Sequence, residues 1–402
     1  MSRLAGATAL AAGVTLAAIA FGSRPLGVAG VGLLLAVGLT RAWAGFASGP
    51  AAVQYSSRPQ PAVEGDRVRL TITARRASAV PVGSIVVRGR LGRLGKHAFR
   101  LRGHGRRSAR EIDLGRLPRG RFRVSDTTLE LGDHLGLHAV STRIAADGTV
   151  LVVHPRLTEL PSLFSDAGRF GADGRRLLLR RAAGFDFHSV REYEQGESLR
   201  RVHWPTTAKR GQLMVKELED APRDAKVVLL DCDPCGAAGS PPDSSFDQAV
   251  RAAGSILEAY ARRGRDVTLL TTGAERAIVR VRALDPDRRA ALDALAAAEP
   301  DALHSLGHTL RHGLPAGLRN GELTVVTANL DGHSVDALLG AAQHRLVSVV
   351  WIDAPSYAGK PTRAEPGLLR LDGFGIPVAV VRSGTDLAVA LGLAERQAVA
   401  RA

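Results

Sequence analysis

Two cysteines in 402 residues cannot build a disulfide framework, so a secreted scaffold stapled by bridges is not encoded here. Aromatic residues make up only 4% of the chain, too few for a platform that stacks single-stranded bases. No G-x-x-x-x-G-K-[ST] loop occurs, so no ATP motor of that type is present. Acidic residues are also short. The 39 Asp and Glu face 54 Lys and Arg, which leaves a net charge of +15. That balance favours an acidic partner, either a nucleic acid or an anionic membrane face. With so few aromatics, no nucleic-acid partner is expected.

What is present divides along the chain. Residues 4–21 are uncharged and long enough to cross a bilayer core of roughly 30 Å as a helix. Pro25 interrupts them, and a second uncharged run covers 26–40, followed by Arg41 and Trp43, an interface anchor. Two spans with a tight turn predict a transmembrane hairpin over residues 1–45. The rival reading is a signal peptide cleaved at Ala42-Trp43-Ala44, but that needs one apolar stretch rather than two. Arg3 and Arg41 flank the pair while the turn holds only Arg24, which favours a cytoplasmic soluble part at the plasma membrane.

Residues 50–165 carry short runs of alternating apolar and polar character, among them 67–75, 83–91, 121–131 and 148–155. These predict a β-sandwich-like domain. The arginines of "RLRGHGRRSAR" (100–110) fall largely between strands, where a solvated loop is the plain reading and phosphate binding the sharper one. From 220 to 402, apolar strands at 226–231, 266–272, 322–329, 345–353 and 377–383 alternate with helical patterns. That alternation predicts a doubly wound α/β domain with a mostly parallel sheet. Its first helix opens on a Ser245/Gln248 capping pattern.

The connector 184–219 is dense in large and charged residues: Arg191, Glu192, Tyr193, Arg200, Arg201, His203, Trp204, Lys209 and Arg210. No catalytic set follows from its spacing. It reads as a segment that packs domains together. Gly184, Phe187, Ser189, Arg191, Glu192, Tyr193, Gly196, Arg200 or Arg201, His203-Trp204, Ala208 and Lys209 nevertheless resemble the signature of the bacterial "domain of unknown function 58" family. The upstream pieces 117–124, 132–137 and 153–157 are similar to that family too. The resemblance implies a von Willebrand factor A-like domain after the signature and a MoxR-type AAA+ ATPase as partner. It also implies a role in assembly or maturation of other proteins, with no established enzymatic activity.

Such domains often hold a divalent cation in a D-x-S-x-S loop after the first strand. Here the loop is Asp231-Cys232-Asp233-Pro234-Cys235. Asp231 and Asp233 are oxygen donors suited to Mg²⁺ or Mn²⁺, and the later strand end offers Asn329 and Asp331. Cys235 is a soft ligand where a hydroxyl is usual, so a degenerate site is expected. No threonine is assigned to it. Cys232 and Cys235 also form a C-x-x-C pair, the basis of a thiol oxidoreductase alternative, and Asp231 is the basis of a metal-dependent enzyme alternative. Zinc lacks a second ligand pair. The preferred reading is a membrane-anchored interaction protein without catalysis, which recognises its partner around Asp231, Asp233 and Asp331.

Overall fold

A computed structural model describes residues 3–103, 105–145, 149–165, 187–193, 202–218, 226–282, 287–318, 321–362 and 365–392. The chain forms two compact units, Met1–His154 and Pro155–Ala402.

The first unit opens with helices α1 (Arg3–Phe21) and α2 (Arg24–Ala47). Both are long and apolar enough to cross a membrane by length and composition. Pro25 sits in the first turn of α2, where its missing N–H costs no hydrogen bond. The turn between the helices uses Gly22 at φ +58°. The helices pack where Gly30 meets Thr15; a Cβ at Gly30 would lie 2.6 Å from Thr15 Oγ1. Their outer faces stay apolar, with Leu16, Ile19, Val28 and Leu39 exposed.

Two sheets follow. One has the order β1-β3-β6, built from β1 (Ala51–Arg58), β3 (Arg67–Arg76) and β6 (Arg107–Arg116). The other has the order β2-β9-β7-β4-β5, with β8 also pairing with β7. Its strands are β2 (Ala62–Val63), β4 (Ser84–Leu91), β5 (Lys96–Arg100), β7 (Gly120–Gly132), β8 (Ala139–Arg143) and β9 (Thr149–His154). Val68, Leu70 and Ile72 of the first sheet share one core with Ile85, Val87, Leu129 and Leu151 of the second. Two sheets closing over a common core is the sandwich arrangement expected from the alternation. Strand β5 ends at Arg100 and β6 begins at Arg107, so Arg100, Arg107 and Arg110 lie in strands and only the middle of 100–110 falls between them. Pairing with β4 and β3 wins there over a charge-rich composition.

In the second unit, β10 (Phe187–Glu192) and β11 (Met214–Leu218) form an antiparallel ribbon, with helix α3 (Trp204–Arg210) between them in the chain. A six-stranded sheet has the order β14-β13-β12-β15-β16-β17. It comprises β12 (Lys226–Leu230), β13 (Val267–Thr271), β14 (Ile278–Val281), β15 (Glu322–Thr327), β16 (Val347–Ile352) and β17 (Val378–Val381). All neighbours are parallel except the edge pair β13–β14. Alternate residues serve two cores. Val228 and Leu230 pack against α4 (Ser245–Arg262) and α5 (Asp287–Ala297), while Val227 and Leu229 face the side of α6 (Gly332–Ala342) and α7 (Pro366–Gly373). Leu160, Leu163 and Phe164 also pack in the α4 core, so residues after His154 that the sequence placed with the sandwich belong to this unit. Strands buried on both faces explain their unbroken apolar runs.

The cap of α4 differs from the expected one by a residue. Ser244 is the N-cap: its hydroxyl accepts from Asp247 N–H and donates to Asp247 Oδ2 at 2.6 Å. Ser245 is taken by the preceding loop, donating to the Gly236 carbonyl at 2.7 Å and accepting from Ala238 N–H at 2.8 Å.

Candidate functional site: a closed carboxylate pair at the strand ends

The sheet order brings the site together. Leu230 is in register with Thr271 on one side and Val326 on the other. The next residues, Asp231, Thr272 and Thr327, therefore emerge side by side at the carboxyl edge. Strand β12 is the first of this sheet, and the chain order turns between it and β15. That is the switch point where open α/β sheets leave a crevice for ligands.

Asp231 is 4% exposed. Thr272 Oγ1 lies 3.2 Å from its Oδ1 and Thr327 Oγ1 donates to its Oδ2 at 2.7 Å. Burial pushes its carboxyl up to about 6; the Thr327 bond works against this and the neighbouring Asp233 charge adds to it. Both threonines serve a second purpose. Thr272 Oγ1 accepts from Cys232 N–H at 2.8 Å, and Thr327 Oγ1 accepts from Asn329 N–H at 3.1 Å. Each hydroxyl thus fixes a strand end and a loop at once.

Asp233 caps the one-turn helix Pro234–Gly236, its Oδ1 accepting from Cys235 N–H at 2.8 Å. Its Oδ2 accepts from the Asn329 amide at 2.8 Å. A Cβ at Gly236 would fall 2.7 Å from Ala328 Cβ, so glycine lets the two loops touch. Asp331 lies in the same loop as Asn329, but its carboxylate caps α6 by accepting from Ser334 N–H at 2.8 Å, and the Ser334 side chain first, with this backbone bond behind it, holds its pKa down. Asn329 is the strand-end residue that the sequence offers beside Asp331, whereas Thr272 and Thr327 are not assigned from sequence. The signal was there in one form: polar residues that directly follow apolar runs in neighbouring strands.

These donors do not fit a resident hard cation. Both Asp233 oxygens are occupied by N–H donors, Asp331 is spent on a helix cap, and Asp231 alone faces inward. Among the described residues no three His, Cys, Asp or Glu side chains converge on a metal position.

The two cysteines are free, one buried and one exposed. Burial pushes the Cys232 thiol up to about 11. The Cys235 thiol is raised as well, chiefly by its hydrogen bond to the Asp233 carboxylate. Neither has the lowered pKa that a redox-active or nucleophilic thiol needs.

The signature residues lie on the β10–α3–β11 ribbon. Arg191 and Glu192 pair in register with Val215 and Met214. Tyr193 N–H donates to the Leu213 carbonyl at 2.9 Å, and His203 N–H to Met214 O at 2.7 Å. The His203 ring lies 2.7 Å from Thr206 Oγ1 through Nδ1, at the start of α3. Trp204 is 64% exposed, and Lys209 is exposed in the last turn of α3. Arg200, Arg201, Gly184 and Gly196 lie outside the described residues.

Comparison with known proteins adds two similarities. The family described as "Protein of unknown function DUF58" matches residues 189–356, which include the ribbon from Ser189 on, Asp231, Thr272 and Thr327. "Uncharacterized protein YeaD" of Bacillus subtilis (strain 168) is 27% identical over 276 residues, covering 66% of this chain and 67% of its own length.

Proposed function

We propose that the chain is a membrane-anchored interaction protein, without catalysis of its own, that assists a MoxR-type AAA+ ATPase in assembly or maturation of other proteins. The two apolar helices would hold it in the plasma membrane with both soluble parts on the cytoplasmic side. The second unit would be von Willebrand factor A-like, a reading supported by the resemblance of the 184–219 signature and by the doubly wound strand order. The observation that carries the proposal is the closed pair at the switch point. Asp231 and Asp233 are held by Thr272, Thr327, Asn329 and a backbone N–H, which makes a rigid edge rather than a reactive centre. Pro234 and Cys235 stand exposed on that edge and offer the contact.

The test is binding of the full chain, in neutral detergent, to a purified MoxR-type ATPase from the same source in the presence of nucleotide. Association is expected. Cys235→Arg places bulk and charge on the rim and should weaken it by roughly tenfold, about 1.4 kcal/mol, whereas Cys235→Ser should leave it intact. No association with the wild-type chain would reject the proposal. Loss of function in Cys235→Ser and Cys232→Ser alike would favour a thiol oxidoreductase instead.

A further inference from the structure

Helix α2 runs directly into the sandwich. Trp43 Nε1 donates to the Pro81 carbonyl at 2.8 Å, and Ser78 Oγ donates to the Phe46 carbonyl at 3.0 Å. The β3–β4 connection therefore sits against the end of the helix. Register shows which charges share that end. Arg75 pairs with Arg107 and Ala51 with Arg76, whereas Arg67 and Arg116 pair at the other end of the same strands. Eight residues separate Arg67 from Arg75, roughly 27 Å of strand.

The end next to α2 is entirely basic in sequence. Residues 75–85 and 100–110 together hold seven arginines and no Asp or Glu. Just past Pro81 lies a pocket of about 310 Å³, bounded by Gly83 and Ser84 on one side and by Arg100, Arg102 and Arg110 on the other. All three arginines are exposed. Arg110 donates to the Arg100 carbonyl at 3.0 Å, which fixes the Arg110 guanidinium against the end of β5. None of the three is ion-paired with a described residue, while Arg69 and Arg88 of the same unit are paired with Glu111 and Glu130. Asp133, whose backbone lies against Gly83, is buried and accepts from Leu137 N–H at 2.9 Å.

Three exposed arginines lining one pocket, with no ion-pair partner among the described residues and Ser84 beside them, suit the oxyanion of a phosphate. Their position at the foot of a candidate membrane helix selects the source. We propose that the Arg100–Arg102–Arg110 pocket binds the phosphate of anionic phospholipid headgroups at the membrane surface; this rests on the membrane-anchored reading above. The pocket clamps the sandwich against the bilayer and sets its tilt, in addition to the tether that α1 and α2 provide.

The experiment uses the full chain in neutral detergent, titrated with dioctanoyl phosphatidylglycerol, dioctanoyl phosphatidylcholine or inorganic phosphate, with bound lipid counted by native mass spectrometry. Phosphatidylglycerol should bind roughly tenfold tighter than phosphatidylcholine. The triple variant Arg100→Ala/Arg102→Ala/Arg110→Ala should lose that preference, and the distal pair Arg67→Ala/Arg116→Ala should change it by less than about twofold. Should the triple variant fail to fold, Arg102→Gln alone should still weaken phosphatidylglycerol by roughly threefold. Equal binding of the two lipids, or equal effects of proximal and distal variants, overturns the inference. Displacement of the lipid by millimolar inorganic phosphate reassigns the pocket to a free anion and overturns it too. Alkaline extraction of cell membranes separates the two readings. A chain released by carbonate rejects the anchor, whereas a retained chain without lipid preference rejects only the pocket.

Discussion

Asp231 has two threonine hydroxyls, little water and a carboxylate neighbour, and each of these leaves a measurable trace. Its folded pKa, about 6, lies above the unfolded 3.8, so the ionised form is the penalised one. The sign follows: the folded state gains nothing from Asp231 at high pH, its stability is greatest below the unfolded value, and it falls as pH rises through the folded one. Asp231→Asn removes the buried charge and keeps the shape. It should raise the stability of the second unit at pH 8 by on the order of 2 kcal/mol and leave it unchanged near pH 4. Thermal unfolding at the two pH values checks this, and equal shifts at both would count against the buried ionised carboxylate. The thiols give a second test. One equivalent of maleimide should label the native chain, at exposed Cys235, and a second only after denaturation. Two equivalents in the native state would mean that Cys232 is not in the core.

Among the elements, α6 and the helical hairpin each depend on one residue. Asp331 caps α6, so Asp331→Ala should cost about 1 kcal/mol while Asp331→Asn should cost little. A residue needed for a cation would not tolerate Asn so well. In the hairpin, Gly30 lies against Thr15 whereas Gly27 has open space around it. Gly30→Leu should therefore lower the thermal stability of the detergent-solubilised chain, and Gly27→Leu should not. Much of the element list could be read from the chain because burial on both faces leaves long apolar runs, as in β12, β15 and β16. Strands β1, β5, β6 and β14 were missed for the opposite reason. β1, β5 and β6 are polar or charged runs with at most one buried apolar face, and β14 is only four residues long, so pairing across the sheet is what makes each a strand. The site was legible in part. Asp231 stands out after its apolar run, but Thr272 and Thr327 become its partners only once β12 is known to lie between β13 and β15. The helical pattern near 333–343 marks α6 to within a residue of its start, but the sequence offers Asp331 as a ligand, and only the loop geometry turns its carboxylate onto Ser334 N–H as the cap.

At the scale of the whole molecule, charge and chemistry are separated along the chain. Two apolar helices and an arginine-rich sandwich form one unit, and the closed carboxylate pair lies in the other. We propose that this pair is a recognition edge completed by its own hydrogen bonds, with no cation and no reaction. Calorimetric titration of the full chain with Mg²⁺ and Mn²⁺ under reducing conditions, with Asp231→Ala as control, tests it most directly. The account predicts no saturable heat and no difference between wild type and variant. Saturable Mg²⁺ or Mn²⁺ binding that disappears in Asp231→Ala would contradict it, and would mean that Asn329 gives way to an ion between Asp231 and Asp233.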